Sequence, residues 1–282
     1  MAKVEKKAAK RAPEATPKNP KNKNPKNHVA SVGKAFAVLK SFTSEAFELT
    51  LSEVAARADL DRGTAFRLIQ TLIELGYLQA VPQSRRFRLG VACLDLGYTV
   101  LSHGSLRTIV EPLLRDLVPE VGDAASLGIL DGGDVIYLAR VGAGLDRHKM
   151  DRRPGTRIPA YSAALGHAML AHLQRNEQIE RLESRPRVKL SERTLTDLDA
   201  LLARLDQVKK KGYAVSDGEN AYGLRTLAMP ILDAQGFVIA GLSVTVDAMR
   251  MDMPTFRDQA LPKLMRLTST VQDITIKSGL LS

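Results

Sequence analysis

Two helix starts and one helix stop crowd between residues 50 and 76, which restricts this part of the chain to short, tightly turned helices. Thr50-Leu51-Ser52-Glu53 has the capping-box pattern, in which two polar side chains satisfy reciprocal backbone donors at a helix N-terminus. Leu51, Val54, Ala55 and Ala58 then form one apolar stripe. After Asp59-Leu60, Asp61 is placed to cap a further helix with Ala65, Leu68, Leu72 and Leu75 on its inner face, and Gly76 is placed to end it. Upstream, Ser31 stands as a cap before Val32, Ala35, Phe36, Leu39 and Phe42 at helical spacing. Downstream, residues 77–81 and 87–89 read as strands joined by Pro82-Gln83-Ser84-Arg85-Arg86. Three helices followed by a basic hairpin predict a winged helix-turn-helix over residues 29–90.

In that motif the N-terminal part of the last helix faces base edges in the major groove. Arg62, Thr64 and Arg67, with Gln70 and Thr71 further along, are therefore candidate contacts to double-stranded DNA. Arg offers a fork of donors to guanine or phosphate, and Thr offers a hydroxyl and a methyl. Arg85 and Arg86 are candidates for phosphate or the minor groove. The net charge of +10 adds little, because residues 1–28 carry nine Lys and Arg against Glu5 and Glu14. That Lys-, Pro- and Asn-rich tail is expected to be disordered, its cations free to meet phosphates without reading sequence. No run approaches the roughly 18 apolar residues of a membrane span, and no apolar core follows the basic start, so a cytoplasmic protein without a membrane partner is expected. The single Cys93 has no disulfide partner in the chain and lies with Leu94 and Leu96, which predicts a buried packing role.

Residues 91–104, with Leu94, Tyr98 and Leu101 at helical spacing, read as a linker helix. From 105 to 282 a second domain is expected. Ser105 is placed to cap a helix with Ile109, Val110, Leu113, Leu114 and Leu117 inward, kinked by Pro112 or starting at it. Residues 124–130 and 135–141 flank Asp131-Gly132-Gly133-Asp134, a strong hairpin signal. Helices are expected at 162–173, 195–212 and 256–277, and strands at 227–232 and 237–246. The fold class is α+β: an N-terminal winged helix-turn-helix domain, a linker helix, and a C-terminal antiparallel-sheet domain with flanking helices.

Several stretches carry a resemblance beyond architecture. They are Ser31-Val32-Gly33-Lys34-Ala35 with Val38-Leu39; residues 61–76; Phe87-Arg88-Leu89-Gly90; and Gly155-Thr156-Arg157-Ile158-Pro159-Ala160-Tyr161 leading into Leu165-Gly166. The most telling is Glu219 with Gly223-Leu224-Arg225 and Ala228-Met229-Pro230-Ile231. On these, the chain after the tail resembles the IclR family of bacterial regulators. Two positions depart from the family pattern: Gly63 stands where Ser is usual, which is expected to remove a phosphate contact, and His167 stands where Lys or Arg is common. The resemblance implies an effector pocket over one face of a curved sheet near the Glu219 loop, with Ser243, Thr245, Thr226 and Asp217 at lining positions. It also implies dimers that can pair into tetramers. The wording of residues 155–161 and 105–110 is most similar to the branch controlling aromatic-acid breakdown by the β-ketoadipate route, so a small aromatic or carboxylic acid is the implied effector.

The residues themselves leave alternatives at this site. Ser243 and Thr245, two apart in a strand, point to one face, where their hydroxyls serve either a ligand or nearby backbone. Arg157, Arg140 and Arg225 serve either an effector carboxylate or structural ion pairs. There is no Gly-rich phosphate loop, metal-ligand spacing or nucleophile elbow, and His167 and His172 are five apart, which misaligns them on a helix. No catalytic residue, metal or cofactor is therefore expected. The reading is a sequence-specific transcription regulator and homo-oligomer, with the linker helix between protomers. The alternatives are a constitutive DNA-binding protein and an enzyme with a DNA-binding appendage.

Overall fold

Helix α1 (Ala30–Lys40) starts after Val29 without a side-chain cap, so Ser31 lies inside the helix. This computed structural model describes residues 29–43, 45–102, 105–142 and 152–278. The tail at 1–28, the side chains of Tyr98 and Leu101, and Gly104 lie outside what it describes. Contacts divide the chain after Leu96 into two units.

In the first unit α1 is followed by β1 (Leu49–Thr50), α2 (Leu51–Arg57), α3 (Arg62–Glu74), β2 (Leu78–Ala80) and β3 (Arg86–Leu89). Thr50 and Glu53 form the reciprocal capping box, the Glu53 carboxylate accepting from the Thr50 N–H at 2.7 Å. The helix then closes on itself: the Leu60 N–H donates to Ala55 O at 2.9 Å, with Asp59 at φ 53°. Asp61 accepts from the Thr64 N–H at 2.8 Å to open α3, and Gly76 at φ 79° ends it. Val38, Phe42, Leu49, Val54, Ile69, Leu72 and Leu78 make the core. Phe42 reaches it from beyond the end of α1, while Val32 and Phe36 on the helix are exposed, so the apolar spacing overstated the buried face. On α3 the inner face is Ala65, Ile69 and Leu72; Leu75, at the helix end, is exposed.

The strands order β1-β3-β2, all antiparallel. Gly90 closes this unit: its N–H donates to Tyr77 O at 2.8 Å, and a Cβ there would lie 2.0 Å from Gly76 O. Cys93, at the start of α4 (Ala92–Ser102), is half-buried with Sγ 3.4 Å from Tyr77 O, whereas Leu94 and Leu96 are exposed. The three do not share a buried stripe, because neighbouring helical positions lie about 100° apart.

The second unit holds α5 (Ser105–Val121), β4 (Ala124–Asp131), β5 (Asp134–Gly142), β6 (Arg157–Pro159), α6 (Ala164–Leu170), α7 (Arg175–Glu183), α8 (Leu198–Lys211), β7 (Ala214–Asp217), β8 (Leu224–Leu232), β9 (Val238–Asp247) and α9 (Met253–Ser278). Its sheet runs β6-β5-β4-β9-β8-β7, antiparallel throughout. The β4–β5 hairpin turns at Gly132-Gly133, as the sequence signal requires. Helix α5 runs through Pro112, which sits on its exposed side.

Alternation along the strands sorts the two faces. Leu127, Leu227, Leu242 and Val244 pack with Val110 and Leu114 of α5 and Phe256 and Leu264 of α9. Val135, Tyr137, Ala214 and Ala228 pack with Leu165 and Met169 of α6 and Leu201 and Leu205 of α8. Every residue of α6 is buried. It approaches the sheet this closely because Gly128 and Gly241 pair across β4 and β9, where added Cβ atoms would stand 2.8 and 2.9 Å from Leu165 methyls. That helix is shorter than the 162–173 span expected, since Ala160–Ser162 form a 3-10 turn and Ala163 is extended. The short strands β1, β6 and β7 and helix α7 have too little sequence pattern to be foreseen.

Candidate DNA-binding and effector sites

The N-cap at Asp61 fixes where α3 begins and so which side chains lead it. Arg62, Arg67, Gln70 and Thr71 are exposed on it, and Thr64 is half-buried. The Thr71 hydroxyl donates to Arg67 O at 3.1 Å, so it is occupied by its own helix. Hydrogen bonds from Thr64 hold the Asp61 carboxyl below the usual carboxylate range, and those from Thr50 do the same for Glu53. Both helix starts therefore keep their capping anions.

The two wing arginines differ. Arg85 is exposed in the turn beside Gln83, whose φ is 57°. Arg86 donates to Glu48 O at 2.9 Å and lies 3.6 Å from Glu53, which ties the hairpin to the start of α2. Two further exposed residues escaped the sequence reading. Arg88 lies on the same face of β3 as Arg86, which strand alternation would have indicated. Phe66 stands on α3, 48% exposed.

In the second unit a cavity lies between α6 and the sheet face that α6 covers. Ser216, Thr226, Thr245 and Ser243 line one side, and Tyr137, Ile158, Ala164, Leu165 and Arg152 line others. Register explains the convergence of hydroxyls: Ser216 pairs with Thr226, Thr226 with Thr245, and Ser243 with both Ala228 and Ser126. The Thr226 and Thr245 hydroxyls are 3.1 Å apart. Next to this row Arg140 donates to Ser126 Oγ at 2.8 Å and lies over the Tyr137 ring at 5.8 Å. Burial presses the Arg140 guanidinium below its ordinary range, against an opposing effect of Tyr137, and the Arg152 charge adds to the depression. Arginine nevertheless stays charged in proteins, so two cations flank the hydroxyl row. The space inside is about 20 Å³.

Not all the sequence-predicted effector residues meet there. Asp217 lies on the opposite face of β7 from Ser216, held by Arg193 at 2.5 Å and Arg225 at 3.0 Å. Arg225 also donates to Ala248 O and Met251 O. Arg157, on the edge strand, pairs with Asp131 at 2.5 Å and reaches Asp134 at 3.8 Å. Each of these groups is committed to an ion pair outside the cavity. Glu219 is buried with its carboxylate 3.0 Å from Arg204, and its main-chain oxygen accepts from Thr194 at 2.6 Å. It anchors the loop whose next residues, Asn220 and Ala221, line the cavity. Among residues the sequence did not single out, Ser216 lies on the four-residue strand β7, which the sequence did not foresee, and Tyr137, Arg152 and Asn220 carried no local signal.

His167 is fully buried on α6, its Nε2–H donating to Tyr161 O at 2.6 Å. Burial lowers its pKa, the Glu219 charge opposing the effect, which favours a neutral structural imidazole. Among the described residues no group of His, Cys, Asp and Glu is arranged to hold a metal ion, and no helix is long and apolar enough to cross a membrane.

The IclR helix-turn-helix domain family matches residues 31–82, and the bacterial transcriptional regulator IclR C-terminal family matches residues 98–274. The chain is 33% identical over 222 residues to the HTH-type transcriptional regulator KdgR of Escherichia coli, covering 79% of this chain and 84% of that one. It is 28% identical over 264 residues to the p-hydroxybenzoate hydroxylase transcriptional activator of Acinetobacter baylyi, covering 92% and 97%. The crystal structure of a transcriptional regulator from Rhodococcus sp. RHA1 is similar at a TM-score of 0.72 and 35% identity, covering 87% of this chain and 98% of that chain.

Proposed function

The chain belongs to the IclR family of bacterial transcriptional regulators, and on that premise we propose that it reads an operator with α3 and the wing while a small aromatic carboxylic acid occupies the cavity between α6 and the sheet. The observation that carries the ligand class is the row of Ser216, Thr226, Thr245 and Ser243 facing a cavity that Arg152 also lines. A carboxylate leaving water needs replacement donors, and hydroxyls beside a cation supply them. Tyr137, Ile158 and Leu165 offer apolar surface to a ring. The aromatic reading is in keeping with a relative named as the transcriptional activator of p-hydroxybenzoate hydroxylase.

About 20 Å³ holds little more than one water, so a ring enters only when the walls separate. The effector would thus bind a wider state better than this one, and that difference in affinity is what shifts the population. The wall that has to yield includes α6 and the loop anchored by Glu219.

DNA contact falls to Arg62, Arg67 and Gln70 on α3, with Arg85 and Arg88 on the wing and Arg86 bracing the hairpin. A single helix reads few base pairs, so two protomers meeting two half-sites is the arrangement we expect. Leu94 and Leu96 on α4, and Val91 just before it, are 50–70% exposed, which gives a protomer contact apolar surface to bury. The experiment is calorimetric titration of the full-length protein with a panel of hydroxybenzoates and dicarboxylic acids, paired with operator binding in the presence of each. Saturable binding of an aromatic acid that changes operator affinity is expected. A panel in which no aromatic acid binds would overturn the ligand class.

A further inference from the structure

Phe66, on the leading turns of α3, is the large apolar side chain of that helix that belongs neither to the buried core nor to the partly buried residues packed against it. It is 48% exposed. Spacing of four places it on a ridge with Arg62 and Gln70, both exposed, and the adjoining ridge runs Gly63, Arg67, Thr71. Gly63 leaves a notch in that second ridge: a Cβ there would meet only Asp61 Oδ1, at 3.3 Å. The ring is thus an apolar surface at the edge of a gap, flanked by two guanidinium groups.

Those cations select the occupant. A second protein surface that covered Phe66 would have to desolvate or pair Arg62 and Arg67, whereas DNA brings phosphates and guanine edges to both. In the major groove, the apolar group displayed by a base pair is the C5-methyl of thymine. We propose that Phe66 is a specificity-determining residue that packs on a thymine methyl, with the Gly63 notch letting the base edge approach. This rests on α3 being the recognition helix and goes beyond it by naming the base feature that an uncharged side chain reads.

The test uses the full-length protein and a duplex enriched by it from a randomised DNA pool. Each thymine of that duplex is replaced singly by uracil, which removes the methyl and keeps the hydrogen-bonding edge. Wild type, Phe66→Ala and Phe66→Leu are compared by fluorescence anisotropy. At one thymine per half-site, uracil should weaken wild-type binding about fourfold, the transfer value of one buried methyl-sized group. Phe66→Ala should bind the thymine and uracil duplexes equally at that position while keeping the other uracil effects, and Phe66→Leu should retain part of the discrimination. Identical uracil profiles for wild type and Phe66→Ala would overturn the proposal. Identical profiles with a changed oligomeric mass would overturn it in favour of a protein contact. A pool from which the wild type enriches no sequence would overturn the sequence-reading premise along with it.

Discussion

Replacing Ser243 by Ala and Thr245 by Val separates the two uses a buried hydroxyl can have. Ser243 Oγ has no hydrogen-bond partner among the described residues, so its removal costs the folded state little, and alanine avoids adding bulk to a cavity of about 20 Å³. Thr245 loses its 3.1 Å contact with the Thr226 hydroxyl, which is worth about 1 kcal/mol. The melting temperature should therefore fall by about 2–4 °C. Ligand affinity should fall much further. A hydroxyl bonded to a charged group contributes about 1.5–3 kcal/mol, and Thr245 already shares its hydroxyl with Thr226, so a combined loss of about 3 kcal/mol, roughly a hundredfold in Kd, is expected. Calorimetric titration with the tightest-binding hydroxybenzoate, alongside thermal unfolding and operator binding, checks this. Operator affinity without ligand should be unchanged. A variant that melts lower yet binds the acid undiminished would refute the reasoning, because its hydroxyls would then serve the sheet alone.

Gly90→Ala should destabilise the winged unit by about 3 kcal/mol and abolish DNA binding, since the new Cβ would stand 2.0 Å from Gly76 O; denaturant unfolding measures it. Arg67→Ala should weaken operator binding by about 1–3 kcal/mol with an unchanged unfolding midpoint, whereas Arg86→Ala should also lower that midpoint, because only Arg86 ties β3 to Glu48 O. Burial lowers the imidazole pKa of both His167 and His172, with the Lys209 charge adding at His172. As pH falls below about 6.5, the unfolded imidazoles take up protons that the folded ones resist, so stability should decline through this window and be fully present above it. His167→Gln should flatten that dependence in unfolding titrations between pH 5 and 8.

The local chemistry of the first unit determined its own outcome. Thr50, Glu53, Asp61 and Gly76 each act on backbone within four or five residues, so the starts and ends of α2 and α3 follow from the residues themselves. The glycine turn between β4 and β5 is local in the same sense. Burial was less legible: spacing placed Phe36 and Leu75 inside and Leu94 and Leu96 with Cys93, but which side of a helix meets a neighbour is settled by what packs there. For the cavity, alternation placed Ser243 and Thr245 on one face of β9, and only the pairing register brought Ser216, Thr226 and Ser126 beside them. Tyr137, Arg152 and Asn220 arrive from distant segments and carry no pattern that announces their meeting. Asp217 and Arg157 show the converse, since their charges were plain in the sequence while their partners, Arg193, Arg225 and Asp131, became neighbours only on folding. Hydrogen bonds to nearby backbone are encoded by order along the chain; the company a side chain keeps across a sheet is fixed by register and by the glycines that let α6 close on it.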